Sequence, residues 1–135
     1  MFTRVDHIGF AVQDVEAAIT FYRETFGVTE WEIIELPNQY MRAAVADLGG
    51  TRIELIAPTS AEAAFARYLA ERGPGMHHVA YRVDRVQAAL DDLRAKGVRL
   101  IDEQPRPGLH NTLVAFVHPK AAMGVLIELV EHPEA

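Results

Sequence analysis

An internal repeat constrains the fold of this chain more than any other feature of its sequence. Residues 5–12 read VDHIGFAV and residues 76–83 read MHHVAYRV, so the two segments share their apolar alternation and His7 aligns with His78. A repeat of this kind predicts a fold made of two copies of one structural unit, each of which is too small to enclose a site alone.

The end of each copy repeats as well. Residues 50–55 read GTRIEL and residues 124–129 read GVLIEL, which aligns Glu54 with Glu128. Each copy therefore begins with a histidine and ends with a glutamate. Both residues stand in segments that read as β-strands, because the apolar residues there recur with the period of a strand.

Each copy changes from strand to helix periodicity in the same order. In the first copy, apolar residues recur at helical spacing between Asp14, a predicted N-cap, and Gly27, a predicted C-terminal stop. In the second copy, Asp84 opens the corresponding helix and Gly97 ends it. The helix of the second copy is predicted at 85–95, and one further helix is predicted at 60–72. The predicted strands are 4–12, 30–36, 40–48, 51–57, 77–83, 99–103, 112–117 and 124–131.

These elements predict an α+β fold with a single domain, residues 1–135. Two βαβββ modules are expected at 4–57 and 76–131, joined by a linker helix segment at 58–75. An open sheet with one helix on one face leaves its other face in need of cover. We therefore expect the two modules to form a metal-lined cleft with the helices outside.

Strand alternation separates the two faces of the first strand. Ile8, Phe10 and Val12 form the apolar row that would pack the helix, whereas His7 lies on the opposite face. The same alternation assigns His78, Glu54 and Glu128 to faces opposite the helix-packing rows.

Composition limits the partners and the chemistry. The 135 residues include no cysteine, which excludes disulfides, a thiolate nucleophile and Cys-type zinc sites. The formal net charge of −6 disfavours nucleic-acid partners, because it offers no general attraction to a phosphate backbone. No signal peptide is evident and no apolar run approaches the ~20 residues of a membrane span, so we expect a soluble, cytoplasmic protein.

The two histidines and two glutamates predict a metal centre. Either histidine alone would more often be an ordinary core or surface residue, and either glutamate alone could form a surface ion pair. Equivalent positions in two copies, however, place His7, His78, Glu54 and Glu128 symmetrically, as two nitrogen and two oxygen ligands. This donor set suits Co, Mn, Ni, Zn or Fe better than Mg or Ca.

At these residues the sequence resembles the vicinal oxygen chelate superfamily over essentially its whole length. Three segments, 6–9, 75–80 and 118–129, are similar to the methylmalonyl-CoA epimerase family, and the ending H-P-K-x-x-x-G-V-x-x-E-L is the most specific of them. The resemblance implies a glyoxalase-like fold, a homodimer, one divalent metal ion, and metal ligands at His7, Glu54, His78 and Glu128.

The same resemblance implies an isomerase that epimerises methylmalonyl-CoA by abstracting its α-proton through a metal-stabilised enolate. We predict Glu128 as the leading proton-transfer residue and Glu54 as the second, and we predict that Lys120 and His110 bind the acyl-CoA substrate. Some family members carry a further glutamate on the third strand of the first module. Residues 40–46 read YMRAAVA, without a carboxylate, so the pair of proton-transfer groups stays open.

Other functions of this fold remain as alternatives. A glyoxalase I-like isomerase (lactoylglutathione lyase) would act on a glutathione hemithioacetal. A non-enzymatic small-molecule binding protein, in the manner of bleomycin-resistance proteins, would generally lack the metal ligands. An extradiol dioxygenase would use two histidines and one glutamate around Fe(II).

Overall fold

The order of strands and helices repeats along the chain. The computed structural model describes residues 1–133. Its strands are β1 (Arg4–Ala11), β2 (Glu32–Leu36), β3 (Met41–Leu48), β4 (Thr51–Pro58), β5 (Gly75–Arg82), β6 (Arg106–Pro107), β7 (Leu113–Val117) and β8 (Ile127–Glu131). Its helices are α1 (Val15–Phe26), α2 (Ala66–Arg72) and α3 (Val86–Ala95). The predicted α+β fold, with the order βαβββ in each copy, is confirmed.

The chain divides into two compact units. One contains residues 8–77, and the other contains residues 1–7 together with the chain from His78 onward. β1 therefore begins in one unit and ends in the other. The predicted module limits of 4–57, 58–75 and 76–131 stay a prediction.

In the unit of residues 8–77, α1 packs on an antiparallel sheet. β2 pairs with β3 and β3 with β4, and the backbone N–H of Val12 donates to the carbonyl of Ile56 at 2.8 Å, which joins the end of β1 to β4. Val15 and Leu55 are buried between helix and sheet, where a fully buried aliphatic side chain contributes about 1.5–3 kcal/mol. Phe10 and Val12 contact this cluster, as the predicted helix-packing row requires.

In the other unit, α3 packs on one face of a mixed sheet. β5 runs parallel to β8, while β7 is antiparallel to both β8 and β6. Leu90 of α3 is buried against Leu129 of β8. Ala80 and Val130 pack together in a separate small cluster. By strand alternation they share their face with His78 and Glu128, which lie two residues earlier on the same strands.

The helix caps agree with the sequence in one copy and differ in the other. The Asp14 side chain accepts a hydrogen bond from the N–H of Ala17 at 3.2 Å, and Gly27 closes α1 in the left-handed conformation, as predicted. The prediction that Asp84 caps α3 is wrong. α3 begins at Val86, whose N–H donates to the carboxylate of Glu131 at 2.9 Å, because the neighbouring strand supplies the acceptor.

The predicted strand at 99–103 is also wrong. Leu100 forms only an isolated bridge to Val117, and the side chain of Asp102 accepts the N–H of Phe116 at 2.8 Å. A side-chain oxygen thus takes the place of a backbone acceptor, and regular pairing with β7 resumes at β6, residues 106–107.

The helix predicted at 60–72 is shorter than expected, since α2 begins at Ala66. The hydroxyl of Ser60 accepts the N–H of Glu62 at 2.9 Å. Such local side-chain bonds compete with the first turn of a helix. Within residues 1–133, none of the helices combines the length and the apolar character that crossing a bilayer requires.

Candidate metal centre

Three of the four predicted metal ligands lie on neighbouring strands of one compact unit. His7 is on β1, His78 on β5 and Glu128 on β8, and these strands follow one another in the hydrogen-bonded order of the sheet. All three residues are buried, with exposed fractions of 7%, 4% and 8%. The sheet therefore gathers side chains that are far apart in the sequence.

Three potential ligand atoms converge in this cluster. Nε2 of His7 lies 3.1 Å from Nε2 of His78 and 3.1 Å from Oε1 of Glu128, and Nε2 of His78 lies 3.2 Å from the same oxygen. Lone pairs on nitrogen and carboxylate oxygen repel one another unless a proton or a cation lies between them. Two imidazole nitrogens and one carboxylate oxygen are also the donors that divalent transition metals prefer, so the residues fit such an ion.

Glu128 is ionised at neutral pH in spite of its burial. Burial by itself raises the pKa of this carboxyl group, but hydrogen bonds from His7 and His78, together with their positive charge, outweigh burial and lower the pKa to about 2. A carboxylate must be deprotonated to bind a metal. Its surroundings thus prepare Glu128 for that role.

A buried carboxylate orients His7. Asp6 is 1% exposed, and its Oδ2 lies 2.7 Å from Nδ1 of His7. Its Oδ1 lies 3.1 Å from Nη2 of Arg82 and 2.5 Å from Nε2 of His132. Metal-binding histidines commonly donate their second ring N–H to a carboxylate in this way, which sets the tautomer and the direction of the ring.

Sequence reasoning did not identify Asp6, Arg82 or His132 as parts of the site. A signal for Asp6 was present, since it directly precedes His7 and a carboxylate is a usual partner of a ligand histidine. Arg82 and His132 carry no local signal. They are 76 and 126 residues from Asp6 in the sequence, so only pairing of distant strands reveals their contact.

The fourth predicted ligand, Glu54, lies on β4 in the unit of residues 8–77. It is buried, and its backbone is paired with Val45 of β3. In the repeat it holds the place that Glu128 has on β8. Its roles as a ligand and in proton transfer stay predictions.

Lys120, a predicted substrate-binding residue, is exposed in the turn Pro119–Ala121. Its backbone N–H donates to Nδ1 of His118 at 3.1 Å. Desolvation and the positive charges of Arg99 and Lys120 lower the pKa of His118. Arg99 and Lys120 therefore lie close enough to His118 for their charges to act on its imidazole.

His110, the other predicted substrate-binding residue, is exposed in the turn Leu109–Asn111. His110 and Asn111 have positive φ angles, of 55° and 62° respectively, which residues other than glycine rarely adopt. A Cβ added at Gly108 would lie 2.6 Å from both the Thr112 hydroxyl and a methyl group of Val114. The packing at the base of this turn therefore leaves no room for a side chain at position 108.

Comparison with known proteins identifies relatives of this chain. The model of the glyoxalase/bleomycin resistance protein/dioxygenase superfamily matches residues 6–116. The mitochondrial methylmalonyl-CoA epimerase of Mus musculus is 36% identical over 127 residues, which cover 93% of this chain and 71% of the relative. The ethylmalonyl-CoA/methylmalonyl-CoA epimerase of Cereibacter sphaeroides is 36% identical over 132 residues, which cover 96% and 98%.

A solved structure is similar over nearly the whole chain. It is a methylmalonyl-CoA epimerase in complex with methylmalonyl-CoA and NH4+, with a TM-score of 0.90 and 37% sequence identity. The match covers 98% of this chain and 96% of that one. The similarity therefore extends beyond the segments that carry the predicted ligands.

Proposed function

Because this chain belongs to the glyoxalase/bleomycin resistance protein/dioxygenase superfamily and, within it, to the methylmalonyl-CoA epimerase family, we propose that it epimerises methylmalonyl-CoA. The protein is then an isomerase that acts on an acyl-CoA thioester. The observation that carries the proposal is the convergence of His7, His78 and Glu128, since a protein that only bound small molecules would not require this buried donor set.

We propose that His7, His78 and Glu128 hold one divalent metal ion, with Glu54 as the fourth ligand. Support for Glu54 comes from its equivalence to Glu128 in the repeat and from its burial on β4. Co, Mn, Ni, Zn and Fe all suit these donors. When bound, such an ion supplies Lewis-acid stabilisation of the negative charge that develops on the thioester oxygen.

Epimerisation needs a group that removes the α-proton and a group that returns one to the opposite face of the carbon. We propose Glu128 and Glu54 for these tasks. A pKa of about 2 makes Glu128 a weak base while His7 and His78 donate to it. Glu128 can take a proton from carbon only after it loses the hydrogen bonds from His7 and His78. Substitution of Glu128 therefore tests its role in proton transfer.

Lys120 and His110 are proposed to bind the acyl-CoA. Coenzyme A carries phosphate groups, and a chain with a net charge of −6 must hold them with a local group of cations. The turn that contains Lys120 provides such a group beside Arg99. The homodimer and the cytoplasmic location stay predictions.

The test is washout of the α-hydrogen in deuterium oxide. We expect protein loaded with Co²⁺ to exchange the α-hydrogen of methylmalonyl-CoA, as followed by NMR, and His78→Ala to lose the exchange. Glu71→Gln is the matched control, because this glutamate is exposed and pairs only on the surface with Arg67. Absence of exchange by the loaded wild-type protein, or activity on methylglyoxal with glutathione instead, would remove the epimerase proposal.

A further inference from the structure

Asp6 connects the ligand His7 to two residues outside the ligand set. One carboxylate oxygen contacts His7, and the other contacts both Arg82 and His132. All four residues belong to the same compact unit. Arg82 is the last residue of β5 and His132 directly follows β8, so the two strands that carry the other converging ligands also carry the residues that hold Asp6.

The contacts determine where the hydrogens lie. A carboxylate only accepts hydrogen bonds, so His7 donates from Nδ1 and His132 donates from Nε2. Since Nε2 of His132 carries the hydrogen, Arg82 donates to Asp6 and not to that nitrogen, although the two nitrogens are only 3.2 Å apart. When both ring nitrogens carry hydrogens, His7 also donates from Nε2 to Glu128. Once a metal displaces that hydrogen, the hydrogen on Nδ1 remains and Nε2 directs its lone pair at the metal.

Asp6 can orient His7 only if its own side chain is held. An aspartate carboxyl group rotates about two bonds, and a buried carboxylate without partners is costly. Arg82 supplies a positive charge and a donor, and His132 supplies a second donor to the same oxygen. Together they leave Oδ2 directed at His7.

We propose that Arg82 and His132 are positioning residues of the metal centre, which act through Asp6 to hold His7 as the Nδ1–H tautomer with Nε2 directed at the metal. The proposal rests on the proposed function, because it assigns these residues to the same centre. Neither residue touches the metal or the substrate in this role. Both are partly exposed, so each can be replaced with little loss of apolar packing.

The first measurement is a titration with Co²⁺, followed by calorimetry and by the visible absorption of the bound ion. Outer partners of metal ligands typically change affinity about 10–100-fold. We expect Arg82→Met and His132→Phe to weaken Co²⁺ binding within this range and to alter the absorption band. His132→Gln keeps a donor and should restore affinity to within a few-fold of wild type. Arg67→Met is the control, since Arg67 is exposed and pairs with Glu71 on the surface.

The second measurement is the ¹⁵N NMR spectrum of the histidine rings in the metal-free protein. We expect neutral His7, observed at alkaline pH, to be a single Nδ1–H tautomer in the wild-type protein and a mixture of tautomers in Arg82→Met and His132→Phe. A loss of packing alone would not change the tautomer, and circular dichroism monitors folding. Cobalt affinity within twofold of wild type, with an unchanged tautomer in both variants, would overturn the proposal.

The two proposals can fail separately. If the wild-type protein binds no Co²⁺, the metal-dependent function is wrong, and the tautomer of His7 in the metal-free variants alone decides the positioning role. If the wild-type protein binds Co²⁺ and exchanges the α-hydrogen while both variants behave as wild type, only the positioning role is wrong.

Discussion

At the scale of single residues, the surroundings of Glu128 determine what this carboxylate can do. The same residue type on an exposed strand would be an ordinary surface charge. Here burial would favour the neutral form, but two imidazoles on adjacent strands reverse that preference. A lowered pKa favours metal binding and opposes proton abstraction, so the two roles predicted for Glu128 make opposite demands on its ionisation.

This shift predicts an acid dependence of stability in the metal-free protein. The folded-state pKa of Glu128 is lowered from 4.5 to about 2, so its contribution is complete above pH 4.5 and is lost as the pH falls towards 2. The whole shift corresponds to about 3 kcal/mol. In urea unfolding, we expect the free energy of unfolding of Glu128→Gln to fall less than that of wild type between about pH 5 and pH 3.

The control for the acid dependence is Glu71→Gln, which alters an exposed ion pair of small energetic weight. Its stability should fall with pH in parallel with wild type. Parallel curves for wild type and Glu128→Gln would contradict the lowered pKa.

At the scale of single elements, the two copies begin their helices differently. Asp14 caps α1 with its own side chain, whereas the start of α3 is capped by Glu131, from the end of β8. The N-cap of α3 is Arg85, whose side chain forms no cap hydrogen bond, and Asp84 is exposed one residue earlier. In both copies the first N–H groups of the helix need an acceptor from outside the helix. A nearby residue supplies it in one copy, and a residue distant in the sequence supplies it in the other.

Alanine substitutions can test the difference between the two helix caps. We expect Asp14→Ala to lower the free energy of unfolding by about 1 kcal/mol, the usual cost of losing an N-cap. Asp84→Ala, the matched substitution in the other copy, should change it by less than about 0.5 kcal/mol. Glu131→Ala should resemble Asp14→Ala. Equal losses from the two aspartate variants in thermal or urea unfolding would show that both residues act as caps.

At the scale of the whole molecule, the three converging donor residues come from strands that are distant in the chain. The unfolded chain does not hold His7, His78 and Glu128 together. A metal that binds them therefore favours the folded state, and its binding free energy becomes folding free energy.

Metal addition should accordingly raise stability. At a free Co²⁺ concentration 100 times its Kd, we expect the free energy of unfolding to rise by about 2.7 kcal/mol, with a higher Tm that EDTA reverses. Mg²⁺ should have a much smaller effect because it prefers ligand sets made of oxygen. His78→Ala should lose the response to Co²⁺. A Tm that does not change on addition of Co²⁺ to wild type would exclude the centre.

The elements that were predicted well are those governed by local periodicity. α1 and its caps follow directly from the apolar spacing between Asp14 and Gly27. The prediction failed at 99–103, where the apolar residues suggested a strand but the side chain of Asp102 takes a backbone N–H of β7. Whether a side-chain oxygen replaces a backbone acceptor depends on which strand lies alongside. The local sequence pattern does not indicate this.

The sequence alone was sufficient to establish the repeat, the order of elements and the candidate ligands, because equivalent positions in two copies remain visible without knowledge of packing. The pairing of strands was needed to bring His7, His78 and Glu128 together in one unit and to join Asp6 with Arg82 and His132. The physical reason is that local periodicity reports which face of a strand a residue occupies, whereas contacts across 71 to 126 residues depend on how the chain folds back on itself.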